Sequence, residues 1–174
     1  MLYYEFDDLL PANSSQKLLD LYPTSLRSEI DTSNEWIYND VNNGVYKSGF
    51  ATTQEAYQKN VTTLFSSLDK IEAHLQSNAS PYFFGSALTE ADIRLFTTIV
   101  RFDPVSGYPA IHRWLRNLYW DIPAFRETTE FEHIKFHYTK SHTQINQFAI
   151  TPVGPVPDIL PKDEEVRAAA AVKK

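Results

Sequence analysis

The sequence predicts an all-α protein, and three observations carry that reading. Apolar residues recur at helical spacing over several long stretches, Thr-x-x-acid start signals stand ahead of two of them, and strand-type alternation is sustained nowhere. With 174 residues, 43% of them hydrophobic, the chain can bury one core, and its length favours a single domain.

The opening Met1 to Phe6 shows no capped helix start, and residues 7–15, with Pro11, read as a loop. After Pro23, Leu26, Ile30, Ile37 and Val41 fall at helical spacing, with Ser33 or Asn34 filling the missing turn, which predicts a helix over residues 24–43. Thr52-Thr-Gln-Glu55 predicts the next start as a capping box. Tyr57, Val61, Leu64, Phe65, Leu68, Ile71 and Leu75 supply its stripe, and Pro81 and Gly85 lie in the segment that ends it. The most informative string runs from Leu88 to Asp103. Thr89 can accept an N–H of the first turn, Asp92 can reach back to the Thr89 amide, and Leu88 and Ile93 can close over the turn as a hydrophobic staple. Such a start is worth most where a helix begins buried, because its orphan N–H groups would otherwise be left without partners. Pro109 suits a first helical position, and Ile111, Leu115 and Leu118 share one face of the helix expected over 108–120. Short helices are expected at 123–128 and 130–140. Four prolines and Gly154 between residues 151 and 161 predict an extended tail, followed by an alanine-rich terminal helix with few anchoring side chains.

Composition narrows function. A net charge of −6 and a pI near 5.3, with Lys and Arg scattered, argue against nucleic acid or an anionic membrane as partner. The chain opens on no signal-like segment, and no apolar run approaches the roughly 20 residues that span a bilayer. A soluble, cytoplasmic protein is expected. The absence of cysteine removes disulfides, thiolate metal sites and cysteine nucleophiles from this polypeptide. Three Asn-x-Ser/Thr triplets, at Asn13, Asn60 and Asn78, matter only in a secreted chain and read as chance. His133 and His137 stand four apart with His142 nearby, the spacing of a metal face, but no third ligand has a motif and Glu132 does not complete the zinc-protease pattern. Packing or capping is expected of them, and no metal or other cofactor. Trp114, Trp120 and most of the ten tyrosines suit core or helix contacts better than a ligand pocket. Arg94 and Arg101, seven apart, can share a face and pair with Asp103 or a partner domain, a structural role favoured over substrate binding.

The capped start at Thr89 resembles the motif that opens the central core helix of the glutathione transferase C-terminal domain. Together with Asn42-Asn-Gly-Val-Tyr-Lys-Ser-Gly-Phe-Ala51, the Leu88–Asp103 string is similar to one subfamily, the glutathionyl-hydroquinone reductases, also known as omega-like or xi-class glutathione transferases. The resemblance runs from Met1 to about Leu160. It implies a helical domain over 23–150, preceded at 1–22 by the end of a thioredoxin-like domain and a linker, and followed by the tail at 151–174.

The resemblance also assigns roles. Tyr46 matches the family tyrosine that faces the active site as proton donor and acceptor, and a phenol protonated at neutral pH suits that task. Tyr138, in His133-Ile-Lys-Phe-His-Tyr-Thr-Lys-Ser-His142, matches one that stabilises the reactive thiolate. For both, ordinary aromatic packing is the alternative. Gln54, Tyr57, Gln58 and Val61 match a region used for subunit pairing, so a homodimer is a candidate, with a solvated helix face as the alternative. Family members use a cysteine thiolate of the N-terminal domain to attack the sulfur of a glutathionyl-hydroquinone; glutathione is the co-substrate and an aromatic hydroquinone the product. This chain has no cysteine. Between Val105 and Ser106 the family has a longer insert that carries another pocket tyrosine and continues the helix, so here the core helix should end early, near Pro104. Both departures suggest a truncated or mis-spliced product, or a fragmentary gene model, rather than an adapted enzyme: a chain inactive alone that supplies the hydroquinone side of the pocket. The alternative is a non-catalytic transferase-like module for dimerisation or scaffolding.

Overall fold

A computed structural model describes residues 19–78, 80–101, 107–142, 147–148 and Ile159. Among them there is no sheet, only helices and one isolated bridge, as the apolar spacing predicts. The helices are α1 (Arg27–Trp36), a π turn (Ile37–Asn42), α2 (Asn43–Gly49), α3 (Gln54–Ser77), α4 (Glu90–Ile99), α5 (Pro109–Asp121), α6 (Pro123–Thr128) and α7 (Phe131–Lys140). The predicted tail and terminal helix lie outside the described residues, Ile159 excepted, as does the Val105–Ser106 junction.

The first helix departs from expectation. It widens over Ile37–Asn42 and, rather than stopping at Asn43, runs on to Gly49. The Asn43 amide donates to the Tyr38 carbonyl, five residues back, the signature of a π turn. Apolar spacing could not show this, because Ile30, Asn34, Ile37 and Val41 are all buried on one face as a plain α-helix would also place them.

α3 starts one residue later than the predicted box: Thr53, in extended conformation, accepts from the Ala56 amide at 3.1 Å, and Thr52 stands outside. Its buried stripe is Leu64, Leu68, Ile71 and Leu75, while Tyr57 and Phe65 are exposed. Those two belong to a second, outward stripe that a linear apolar count merges with the first. α3 packs against α2, the π turn and α5, and α4 packs against α1, the π turn and α5. Trp114, Leu115 and Leu118 of α5 fill the space between α3 and α4 with Leu95 and Ile99, all nearly free of solvent.

Two buried carboxylates tie this core to its connections. Asp92 does complete the Thr89 box, its Oδ2 accepting from the Thr89 amide at 2.9 Å and the Thr89 hydroxyl at 3.0 Å. Its Oδ1 also accepts from the Phe83 amide at 2.8 Å and the Trp114 indole at 2.9 Å, joining a loop and α5 to the same helix end. Glu72 of α3 caps α5, accepting from the Ala110 and Ile111 amides at 2.8 and 2.9 Å, just after Pro109 at the first turn. Before α4 the loop closes through a Tyr82–Gly85 bridge, where a φ of +110° requires glycine at position 85.

Candidate functional site

The face of α4 opposite Asp92 forms one wall of a groove. The π turn and α2 form the other wall, and α7 closes one end. Its volume is about 520 Å³, and Tyr38, Asn42, Tyr46, Arg94, Arg101 and Tyr138 line it with smaller neighbours. The π turn matters here. It leans the Asn42 side chain across to α4, where the amide nitrogen donates to the Arg94 carbonyl at 3.0 Å and to the Thr98 hydroxyl. That clamp sets the separation of the two walls, and Tyr46 follows one turn later.

Tyr46 and Tyr138, 92 residues apart in sequence, meet at 3.2 Å between hydroxyl oxygens. Arg101 Nη1 donates to the Tyr138 hydroxyl at 3.1 Å. Two histidines cluster against the Tyr138 ring: His142 stacks on it at 5.6 Å and 15°, His137 meets it edge-on at 5.3 Å, and the two imidazoles touch each other at 5.2 Å. Phe50 links Tyr46 to His142, stacking on the former at 6.4 Å and lying 5.6 Å from the latter. The hydrogen bond to Tyr138 above all, and then burial, push the Tyr46 phenol above its ordinary pKa, while Arg101 pulls it back. Tyr46 therefore remains a neutral donor throughout the physiological range.

Of the residues singled out by sequence, Thr89 and Asp92 form the cap, and Tyr46 and Tyr138 meet in the groove. Gln54, Tyr57 and Gln58 are exposed at the start of α3 and Val61 is partly buried, away from that groove. Arg94 pairs with Glu90 at 3.3 Å, one turn back on its own helix, whereas Asp103 or a partner domain is the partner expected from sequence. Arg101 partners a phenol, and Asp103 lies outside the described residues. Trp114 is core, as expected. Trp120 donates to the Ile159 carbonyl at 3.1 Å, fixing one point of the tail. His133 lines a smaller depression beside α6 and α7, and His137 lies 3.3 Å from the Ser141 hydroxyl. Among the described residues, no three His, Cys, Asp or Glu side chains gather where they could hold a metal.

Sequence reasoning missed the roles of Asn42 and Glu72, and it singled out Arg101 without its Tyr138 partner. Nothing local marks Glu72. Asn42 sits inside the string that carries the resemblance, yet a π turn has no spacing signature.

A helical bundle whose buried central helix starts on an acid cap and runs along an open groove is the C-terminal domain architecture of glutathione transferases. The glutathione S-transferase C-terminal domain family matches residues 54–117. Glutathione S-transferase omega-like 2 of Schizosaccharomyces pombe is 52% identical over 160 residues, covering 84% of this chain and 51% of the relative. Glutathionyl-hydroquinone reductase YqjG of Escherichia coli is 46% identical over 152 residues, covering 80% of this chain and 45% of the relative. The glutathione-bound structure of YqjG superimposes with a TM-score of 0.83 at 43% identity, covering 96% of this chain and 56% of that one. The xi-class transferase of Phanerochaete chrysosporium gives 0.84 at 55% identity, covering 92% and 54%. The chain belongs to the xi-class, omega-like glutathione transferases, and it spans about half the length of the curated relatives it matches.

Proposed function

We propose that this chain provides the aromatic-substrate wall for glutathione-dependent reduction of S-glutathionyl-hydroquinones. The observation that carries the reading is the Tyr46–Tyr138 contact inside the groove, since two meeting phenols can hydrogen-bond an aromatic hydroxyl and hand over a proton. The name of the Escherichia coli relative, a glutathionyl-hydroquinone reductase, supports the substrate class.

The chemistry requires a thiolate to attack the glutathionyl sulfur. The sulfur–carbon bond breaks, its electron pair goes to the ring carbon, and a phenol of the groove supplies the proton there. The attacking thiolate becomes one half of a disulfide with glutathione, which a second glutathione thiolate resolves to oxidised glutathione. No residue of this chain supplies a thiolate, because it has no cysteine. Alone it binds the aromatic reactant and does not turn it over.

Mixing the purified chain with glutathione and a glutathionyl-hydroquinone should give no turnover above buffer. The same thioether should raise the melting temperature by mass action, and the gain should vanish in Tyr138→Phe. Turnover by the chain, or no stabilisation by any hydroquinone, defeats the reading. A scaffolding module has no use for paired phenols in a groove and predicts neither binding nor sensitivity to Tyr138→Phe.

A further inference from the structure

The groove has two ends, and its walls run in the same direction. Asn34 of α1 donates to Glu90 at the start of α4 at 2.6 Å, Asn42 reaches the Arg94 carbonyl and the Thr98 hydroxyl, and Tyr46 meets Arg101 through Tyr138. Tyr38, midway between Asn34 and Asn42, therefore stands level with the first turns of α4, at the Arg94 end. Arg94 and Arg101 are two turns apart, about 10 Å along the axis, so Arg94 and the phenol pair mark opposite ends.

The Arg94 end pairs an aromatic ring with a cation. Tyr38 is 54% exposed, lines the groove and, among the described residues, packs on no other ring. Arg94 and Glu90 form an ion pair whose partners are unequally exposed, 52% for the Arg94 side chain against 11% for Glu90. The Glu90 carboxylate is held inward, where it also accepts from Asn34, and the guanidinium is turned to the groove. A guanidinium carries five N–H groups, more than the Glu90 contact through Nε engages. The described lining as a whole holds two guanidiniums and no carboxylate, in a chain of net charge −6. Such a local excess of one sign draws anions into a cleft of an otherwise acidic molecule.

We infer that Tyr38 and Arg94 form a second subsite of the groove, one that takes a carboxylate carried by the aromatic reactant. The carboxylate meets Arg94, Tyr38 flanks the adjoining edge of the ring, and the ring hydroxyl lies towards the phenol pair. This names a substrate class for the groove proposed above, an aromatic acid, and it rests on that proposal. A carboxylate could come from a ring substituent or from the glutathionyl arm of the thioether. The ring substituent is favoured, because the glutathionyl sulfur must face a thiolate that this chain does not supply, which directs that arm out of the groove.

The test is calorimetric titration of this chain, without oxygen, with 2,5-dihydroxyphenylacetate, its methyl ester and unsubstituted hydroquinone. The acid should bind about tenfold more tightly than the ester, which keeps the ring and both hydroxyls but not the charge, and added salt should narrow the gap. Arg94→Gln should make acid and ester equal, and Arg94→Lys should keep part of the preference. Tyr38→Leu should weaken both about threefold. The Arg94–Glu90 pair is largely solvated and contributes little to stability, so Arg94→Gln should stay folded by far-ultraviolet dichroism. Equal binding of acid and ester by wild type, or a preference that survives Arg94→Gln, would overturn the subsite and leave the aromatic groove standing. Glutathione alone should not bind; if it binds wild type but not Arg94→Gln, the carboxylate belongs to the glutathionyl arm and the aromatic acid is refuted. Absence of binding by all three hydroquinones would defeat the groove reading and the subsite with it.

Discussion

Replacing Asp92 by alanine tests how the core is built. Asp92 is fully buried, and its two oxygens accept from three N–H groups and one hydroxyl. The Thr89 hydroxyl can turn to another acceptor, but the Thr89 amide, the Phe83 amide and the Trp114 indole cannot. Each buried donor left without a partner costs about 1–3 kcal/mol, and partial wetting of the space left behind recovers some of it, so a loss of about 4 kcal/mol is expected. Against a typical total of about 5–15 kcal/mol, that is a large fraction. In urea, with a slope of about 2 kcal/mol per molar, the midpoint should fall by about 2 M. Asp92→Asn keeps the shape but turns one acceptor into a donor facing other donors, so it should cost about half as much. Trp114→Phe in the Asp92→Ala background should then cost less than in wild type, because the indole has already lost its acceptor. A loss below about 1 kcal/mol for Asp92→Ala, or strict additivity with Trp114→Phe, would show that Asp92 does not join the loop, α4 and α5.

Glu72→Ala should lower stability by about 2–3 kcal/mol by urea titration, since it strips the carboxylate from two buried α5 amides, and Glu72→Gln should cost less. Asn42→Ala should cost about 1–2 kcal/mol and shift the resonances of Tyr46 and Tyr138, because the clamp between the π turn and α4 is released. Alkali should destabilise the fold. Tyr22, Tyr46, Tyr82 and Tyr108 all have phenols raised above the ordinary value near 10, Tyr22 chiefly by its bond to Asp31, Tyr46 by its bond to Tyr138, and Tyr82 and Tyr108 by burial. Above that pH the unfolded chain holds fewer protons than the folded one, so stability falls as pH rises through the folded-state values. Unfolding followed between pH 8 and 12 should show a loss that begins near pH 10, and a flat profile would contradict it.

What could be read from sequence divides by distance along the chain. The Thr89–Asp92 box closes over three residues, and α6 and α7 are bounded by Pro123 and the Thr129–Glu130 break, so local chemistry gave both. The other arm of Asp92 reaches Trp114, 22 positions away, and Glu72 reaches Ala110 across 38. No spacing rule links such pairs. The two tyrosines lie 92 apart and were brought together beforehand only by resemblance, which could not supply Arg101 because its partner comes from another helix.

Those long-range ties also connect stability to function through α4. One face of that helix carries Asp92 into the core, and the other presents Arg94 to the groove, with Arg101 two residues past its last turn. Weakening the cap should therefore disturb the Arg101–Tyr138 bond at the far end of α4 before the bundle unfolds, because the helix is short and its start is its firmest anchor. In Asp92→Asn under native conditions, the Tyr138 ring-carbon resonance should move towards its Arg101→Gln position while the far-ultraviolet dichroism stays native. A resonance that stays at its wild-type position until the helices melt would mean that the π turn, through Asn42, holds the groove independently of the core.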